Sequence, residues 1–237
     1  MNRLTLMVVK NIFRVPFLYT KLCRYAKTPD SFSQEEMFAH IKKIVECANW
    51  GGNVTVEGYG LENLPKQSGY LIYANHQGMF DTLAIIHHLN FPTGAVYKKE
   101  LTNIPLLREV AACTHSFAMD RDNVRQSLTV IQNVTKEVAE NHRNYMIFPE
   151  GTRSRKGNEM GEFHHGSFKC ALRAKCPVVP VALIDSYKVL DAAGTAPLTV
   201  QVRFLPPILP EEYVGMKTVE LSDLVQSRIA EAIAENS

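Results

Sequence analysis

Three short apolar runs constrain most strongly what this chain can fold into: Tyr70-Leu71-Ile72-Tyr73-Ala74, Tyr145-Met146-Ile147-Phe148 and Val178 to Ile184. Each is too short for an ordinary helix, and each is apolar at consecutive rather than alternate positions. That is the signature of strands buried on both faces, with helices covering a sheet from above and below. Weaker runs of the same length occur at Val54–Glu57, Ala95–Tyr97, Ser116–Met119 and Leu198–Phe204. Between them lie segments with helical spacing: Thr82–Leu89, Ile104–Ala112, Val124–Glu140, Ser167–Ala174 and Leu221–Glu235. The clearest is the third, where Val124, Leu128, Ile131, Val134 and Val138 share one face and Asp122 or Asn123 is available as a cap. The alternation predicts an α/β fold with a mixed, largely parallel sheet flanked by helices.

The first fifty residues differ. Ser33-Gln34-Glu35-Glu36 fits a capping box, followed by apolar residues at Phe38, Ile41, Ile44, Val45 and Ala48 and a stop at Gly51-Gly52. Before it, residues 3–25 mix Leu4, Met7, Val8, Ile12, Phe13, Phe17, Leu18, Tyr19 and Leu22 with cations, and Pro16 predicts a bend. Residues 1–29 hold Arg3, Lys10, Arg14, Lys21, Arg24 and Lys27 and no acid before Asp30. Such a segment suits a helix lying in a membrane interface, and equally a core helix with a basic outer face. It lacks the clean apolar core and cleavage site of a signal peptide. No window has the roughly 20 apolar residues of a spanning helix. The chain divides into an N-terminal helical membrane-docking segment, residues 1–50, and a larger domain, residues 51–237.

Net charge is only +2, which argues against a nucleic-acid-binding protein. The five cysteines, Cys23, Cys47, Cys113, Cys170 and Cys176, are odd in number and widely spaced. They suggest neither a disulfide framework nor a zinc site, and favour a reducing compartment. No metal site is expected.

Two motifs carry chemistry. Asn75-His76-Gln77-Gly78-Met79-Phe80-Asp81 leaves the end of the first apolar run, and strand ends are where open α/β folds bind ligands. Asp81 is close enough in sequence to fix the His76 tautomer and stabilise its imidazolium, leaving the other ring nitrogen to take a proton. In isolation the pair reads more readily as a surface histidine beside a helix-capping aspartate. Phe148-Pro149-Glu150-Gly151-Thr152-Arg153 leaves the second run. There the backbone N–H groups of Gly151 and Thr152 are candidates for an anion, and Arg153 for a bidentate grip on it. A plain turn is the alternative.

Together these segments resemble the glycerolipid acyltransferase family, most closely its bacterial 1-acylglycerol-3-phosphate acyltransferases. The resemblance covers about residues 53–210 in four blocks: Asn75-His76 through Asp81, Ser116 through Asp120-Arg121, Phe148 through Ser154, and Val179-Pro180-Val181-Ala182-Leu183. It implies that His76, oriented by Asp81, deprotonates the hydroxyl of a lysophospholipid. The oxygen then attacks an acyl thioester directly, with no acyl-enzyme. Glu150, Gly151, Thr152 and Arg153 are implied to bind the acceptor. Arg121 and Lys98, the latter from Lys98-Lys99-Glu100-Leu101, are further candidates for its phosphate.

The donor implied is acyl-CoA or an acyl carrier protein, with no cofactor. The product is phosphatidic acid, and the place of work is an anionic membrane surface, at its cytoplasmic face, with the protein peripheral or monotopic. Two departures weaken the implied acceptor more than the reaction. Gly78 stands where a serine is frequent, and Phe163-His164-His165-Gly166 stands where two lysines are frequent. Another lysophospholipid or an amino-acid-based lipid is therefore an alternative acceptor. Hydrolysis of acyl thioesters is a third enzymatic reading, and a non-catalytic lipid-binding protein is the reading from a different class.

Overall fold

A computed structural model describes residues 2–237. In chain order the helices are α1 (Arg3–Lys10), α2 (Val15–Lys27), α3 (Gln34–Gly52), α4 (Asp81–His88), α5 (Leu107–Cys113), α6 (Val124–Asn141), α7 (Lys169–Ala174), α8 (Tyr187–Leu190), α9 (Pro210–Tyr213) and α10 (Thr218–Ala234). The strands are β1 (Val54–Tyr59), β2 (Leu71–Ala74), β3 (Thr93–Lys98), β4 (Phe117–Met119), β5 (Asn144–Ile147), β6 (Val178–Ile184) and β7 (Leu198–Phe204). They form one seven-stranded sheet in the order β1-β7-β6-β2-β5-β3-β4. Every pairing is parallel except β6 with β7. The α/β expectation and its seven strands hold.

The three apolar runs are the sheet's centre: β2 lies between β5 and β6, and every residue of all three is buried. Alternate side chains feed two cores, as the two-residue period of a strand requires. Ile72 and Ala74 face one core with α1 to α4, whereas Leu71 and Tyr73 face the other with α6, α7 and α10. Because β2, β3, β4, β5 and β6 run the same way, the segments after each emerge at one end of the sheet. That end gathers His76, Lys98, Arg121, Arg153 and the turn after β6.

Several local expectations need correction. The N-terminal segment breaks at Asn11–Arg14 rather than at Pro16, which sits in the first turn of α2, where its missing N–H costs nothing. Asn11 holds the break in place by donating to the carbonyls of Met7 and Cys47. Only half of the capping box at Ser33 forms. Ser33 Oγ accepts the Glu36 N–H, but the Glu36 carboxylate accepts the Tyr25 hydroxyl instead of returning to Ser33. On α6, Asn123 provides the cap, yet Val124 and Leu128 are exposed and the buried stripe is Val130, Ile131, Val134 and Val138. Arg3 is not a surface cation. It is buried, donates to the carbonyls of Gly52 and Ala196, and has its pKa lowered by burial.

Candidate active site

β2 ends at Ala74, and Asn75 locks that end to β6 with two hydrogen bonds. Its amide donates to the Leu183 carbonyl at 3.0 Å, and its oxygen accepts the Leu183 N–H at 2.7 Å. The chain then turns through His76–Phe80 into α4. Asp81 does not cap this helix. It occupies the first helical turn, fully buried, and sends its carboxylate back to the turn. Oδ2 accepts the Gln77 N–H at 2.6 Å, the Gly78 N–H at 3.0 Å and His76 Nδ1–H at 2.7 Å. The positive end of α4 favours the carboxylate's charge there. With Nδ1 committed as donor, Nε2 of His76 is left as the proton acceptor. The imidazole is 21% exposed and stacks on Phe148 with ring centroids 4.5 Å apart. Sequence motif and geometry agree on this pair.

The third block wraps the His76 backbone. Phe148 ends the β5 run, and the Gly151 N–H closes a turn onto the Phe148 carbonyl at 3.0 Å. That N–H is therefore spent inside the turn, contrary to the sequence expectation that it faces an anion. Glu150 also departs from expectation. Its side chain is buried, accepting the His76 N–H at 2.6 Å through Oε1 and the Gly161 N–H at 2.8 Å through Oε2. Both oxygens are thus used within the protein, so Glu150 braces the site rather than reaching into it. Burial raises its pKa, opposed by the two N–H groups it accepts. Ser154 N–H completes the wrap by donating to the His76 carbonyl at 2.9 Å.

The candidate cations differ in availability. Arg153 Nη1 is paired with Asp191 Oδ1 at 2.5 Å. Lys98 reaches Glu100 at 3.0 Å, with both side chains more than half exposed. Arg121 is exposed and has no hydrogen-bond or ion-pair partner among the described residues, and its guanidinium stays charged. It sits over Gly151. The position that a Cβ on Gly151 would take lies 3.9 Å from Arg121 Cζ and 2.9 Å from the His164 ring. Gly151 has φ +69°, so a glycine suits both the turn and the close approach of these two side chains. The structure thus brings Arg121 beside the third block, which the sequence could only list with it. Thr152 makes no side-chain hydrogen bond among the described residues.

Sequence reasoning missed an amide network behind His76. Gln77 is buried, donates to Asn158 at 2.8 Å and accepts the Ser186 N–H at 2.9 Å. Asn158 in turn donates to the Asp185 carboxylate and accepts the Asp185 N–H. The only sequence signal was a glutamine beside the histidine at the end of a buried run. No thiol is poised as a nucleophile among the three buried cysteines: burial pushes Cys113 and Cys170 up to about 11 and Cys176 to about 12.

The sequence model of the family described as Acyltransferase matches residues 55–184, a stretch that contains His76, Asp81, Arg121 and Arg153. The chain belongs to the acyltransferase family. The 1-acyl-sn-glycerol-3-phosphate acyltransferase of Escherichia coli K12 is 31% identical over 168 residues, 70% of this chain and 68% of that one. The protein of the same name from Limnanthes douglasii is 28% identical over 180 residues, 75% of this chain. This chain spans only 62% of the length of that relative. Among solved structures, the 1-acyl-sn-glycerophosphate (LPA) acyltransferase of Thermotoga maritima superposes with a TM-score of 0.78 at 20% identity, covering 99% of this chain and 97% of that one. The acyltransferase fold is therefore shared over almost the whole length, N-terminal helices included.

Proposed function

We propose that this acyltransferase moves a fatty acyl group from an acyl thioester, acyl-CoA or acyl carrier protein, to the sn-2 hydroxyl of 1-acylglycerol-3-phosphate. The product is phosphatidic acid. The observation that carries the reading is the His76–Asp81 pair, with Nδ1 held by a fully buried carboxylate and Nε2 free on a partly exposed ring. His76 Nε2 takes the hydroxyl proton as the acceptor oxygen attacks the thioester carbonyl. The tetrahedral adduct collapses, the C–S bond breaks, and the imidazolium returns its proton to the departing thiolate. General-base assistance of this kind contributes about 10²–10⁴-fold. Arg121, without a partner among the described residues and beside Gly151, is the cation that best suits the acceptor's phosphate. The names of the relatives support the same acceptor.

The N-terminal helices support docking at a membrane surface. Leu4, Val8, Val9, Ile12, Phe13, Val15 and Phe17 are exposed, as is Trp50 on α3. Lys10 and Arg14 lie over the Trp50 ring at 5.6 and 5.1 Å. Between α2 and α3 runs an open groove of about 540 Å³, lined by Phe13, Phe17, Leu18, Cys47 and Trp50 with Arg14, Lys43 and one acid, Glu46. Apolar side chains among cations match an anionic bilayer interface. No helix among the described residues is long and apolar enough to cross a membrane.

A second acceptor class has support in His164 and His165 standing where two lysines are frequent, and in the pairing of Arg153 with Asp191. Both lower the fixed positive charge offered to a phosphomonoester, which favours a less anionic lysophospholipid. The test incubates the protein and His76→Ala with liposomes carrying 1-acylglycerol-3-phosphate and labelled acyl-CoA, with other lysophospholipids in parallel. Phosphatidic acid formed by the parent alone supports the proposal. Equal turnover in both samples overturns the role of His76.

A further inference from the structure

Asp191 follows α8 and lies on the rim of the site, far in sequence from both motifs. Its carboxylate makes two contacts that join them. Oδ1 accepts from Arg153 Nη1, and Oδ2 accepts the Met79 N–H at 3.0 Å. The turn after His76 is shaped to admit it. A Cβ on Gly78 would stand 2.6 Å from Asp191 Oδ2 and 2.9 Å from Tyr187 Cα. The glycine that replaces the family's frequent serine is thus what leaves room for this carboxylate. Arg153 and Asp191 are each about 30% exposed, at 28% and 31%, so the pair is open to competition from an anion in solution.

We propose that Asp191 is a specificity-determining residue: an internal carboxylate that occupies the anion-binding edge of Arg153 and that an acceptor phosphate must displace. The proposal rests on the acceptor reading above. A carboxylate carries one charge and a phosphomonoester nearly two, so the phosphate displaces it, at a cost in affinity. A lysophospholipid whose phosphate is a diester gains less from the exchange. Asp191 therefore limits how strongly the site prefers the more anionic acceptor.

Asp191→Asn tests this, because the amide oxygen still accepts the Met79 N–H while the charge that holds Arg153 is gone. The expected result is an acceptor KM lowered about two- to five-fold, the size of a partly exposed ion pair. The kcat should hold within about twofold and the donor KM should not move. Asp191→Glu should restore part of the parental KM. The KM for lysophosphatidylethanolamine should change less. An acceptor KM that is unchanged or raised, or a kcat that falls alone, would make Asp191 a structural brace and overturn the proposal. Asp191→Ser serves if the asparagine variant does not fold, with Tm monitored for each. If the parent forms no phosphatidic acid, the acceptor reading fails separately. Calorimetric titration with glycerol 3-phosphate then decides: tighter binding by Asp191→Asn upholds the displaced carboxylate, and equal binding refutes it.

Discussion

The Glu150 carboxylate accepts the backbone N–H of His76 at 2.6 Å, across 74 residues of sequence. Its second oxygen accepts the Gly161 N–H, so one side chain sets the height of the His76 turn against the loop beyond the third block. Glu150→Ala leaves both N–H groups without that acceptor. A buried unsatisfied donor costs about 1–3 kcal/mol. We therefore expect a lower Tm together with a fall in kcat that exceeds any change in acceptor KM. An unaltered kcat would show that the brace does not position His76.

Asp81→Asn should reduce kcat by about 10²–10⁴-fold. The asparagine oxygen can take the place of Oδ2, the one oxygen that accepts all three donors, but the charge that stabilises an imidazolium is lost. A pH–rate profile checks the assignment. The variant should stay low at every pH, and activity recovered at any pH would count against the pair.

Membrane docking calls for a gentler test than truncation. Leu22 and Tyr25 on α2 are buried in the same core as the sheet, so deleting residues 1–28 would damage the fold along with any membrane contact. Phe13 and Phe17 are 87% and 79% exposed, and replacing both with serine leaves the core intact. Partition to anionic vesicles in a flotation assay should fall on the order of tenfold or more, given about 1.5–3 kcal/mol per buried large apolar side chain. Added salt should weaken the parent's binding, because the cationic contribution is screened. Binding that ignores both changes would refute docking through these helices.

His88, at the end of α4, has its pKa lowered from about 6.5 to about 4, chiefly by burial. The folded protein holds this ring neutral where the unfolded chain would protonate it. Its contribution to stability is therefore complete above about pH 6.5 and is lost as the pH falls toward 4. Denaturant titrations across that window should show stability falling with acid. His88→Gln should flatten the slope, and an identical slope in the variant would exclude His88 as its source.

What this sequence determined by itself was everything carried by near neighbours. Consecutive apolar residues in runs of four to seven specify strands covered on both faces, and β2, β5 and β6 are those strands. The five-residue step from His76 to Asp81 is closed by a single turn, so the pair was legible without knowing where the rest of the chain goes. The choice of partners across long separations was decided only in the tertiary structure. Glu150 reads as a ligand in its motif, but the parallel pairing of β2 with β5 puts its carboxylate under His76 N–H instead. Arg153 reads as a free cation, but the end of α8 supplies Asp191. Arg3 reads as one more surface charge, but the packing of α1 against α3 buries it on the Gly52 carbonyl. The physical reason is the same in each case. Apolar burial follows local periodicity, whereas a hydrogen bond or ion pair goes to whichever polar group folding brings within about 3 Å.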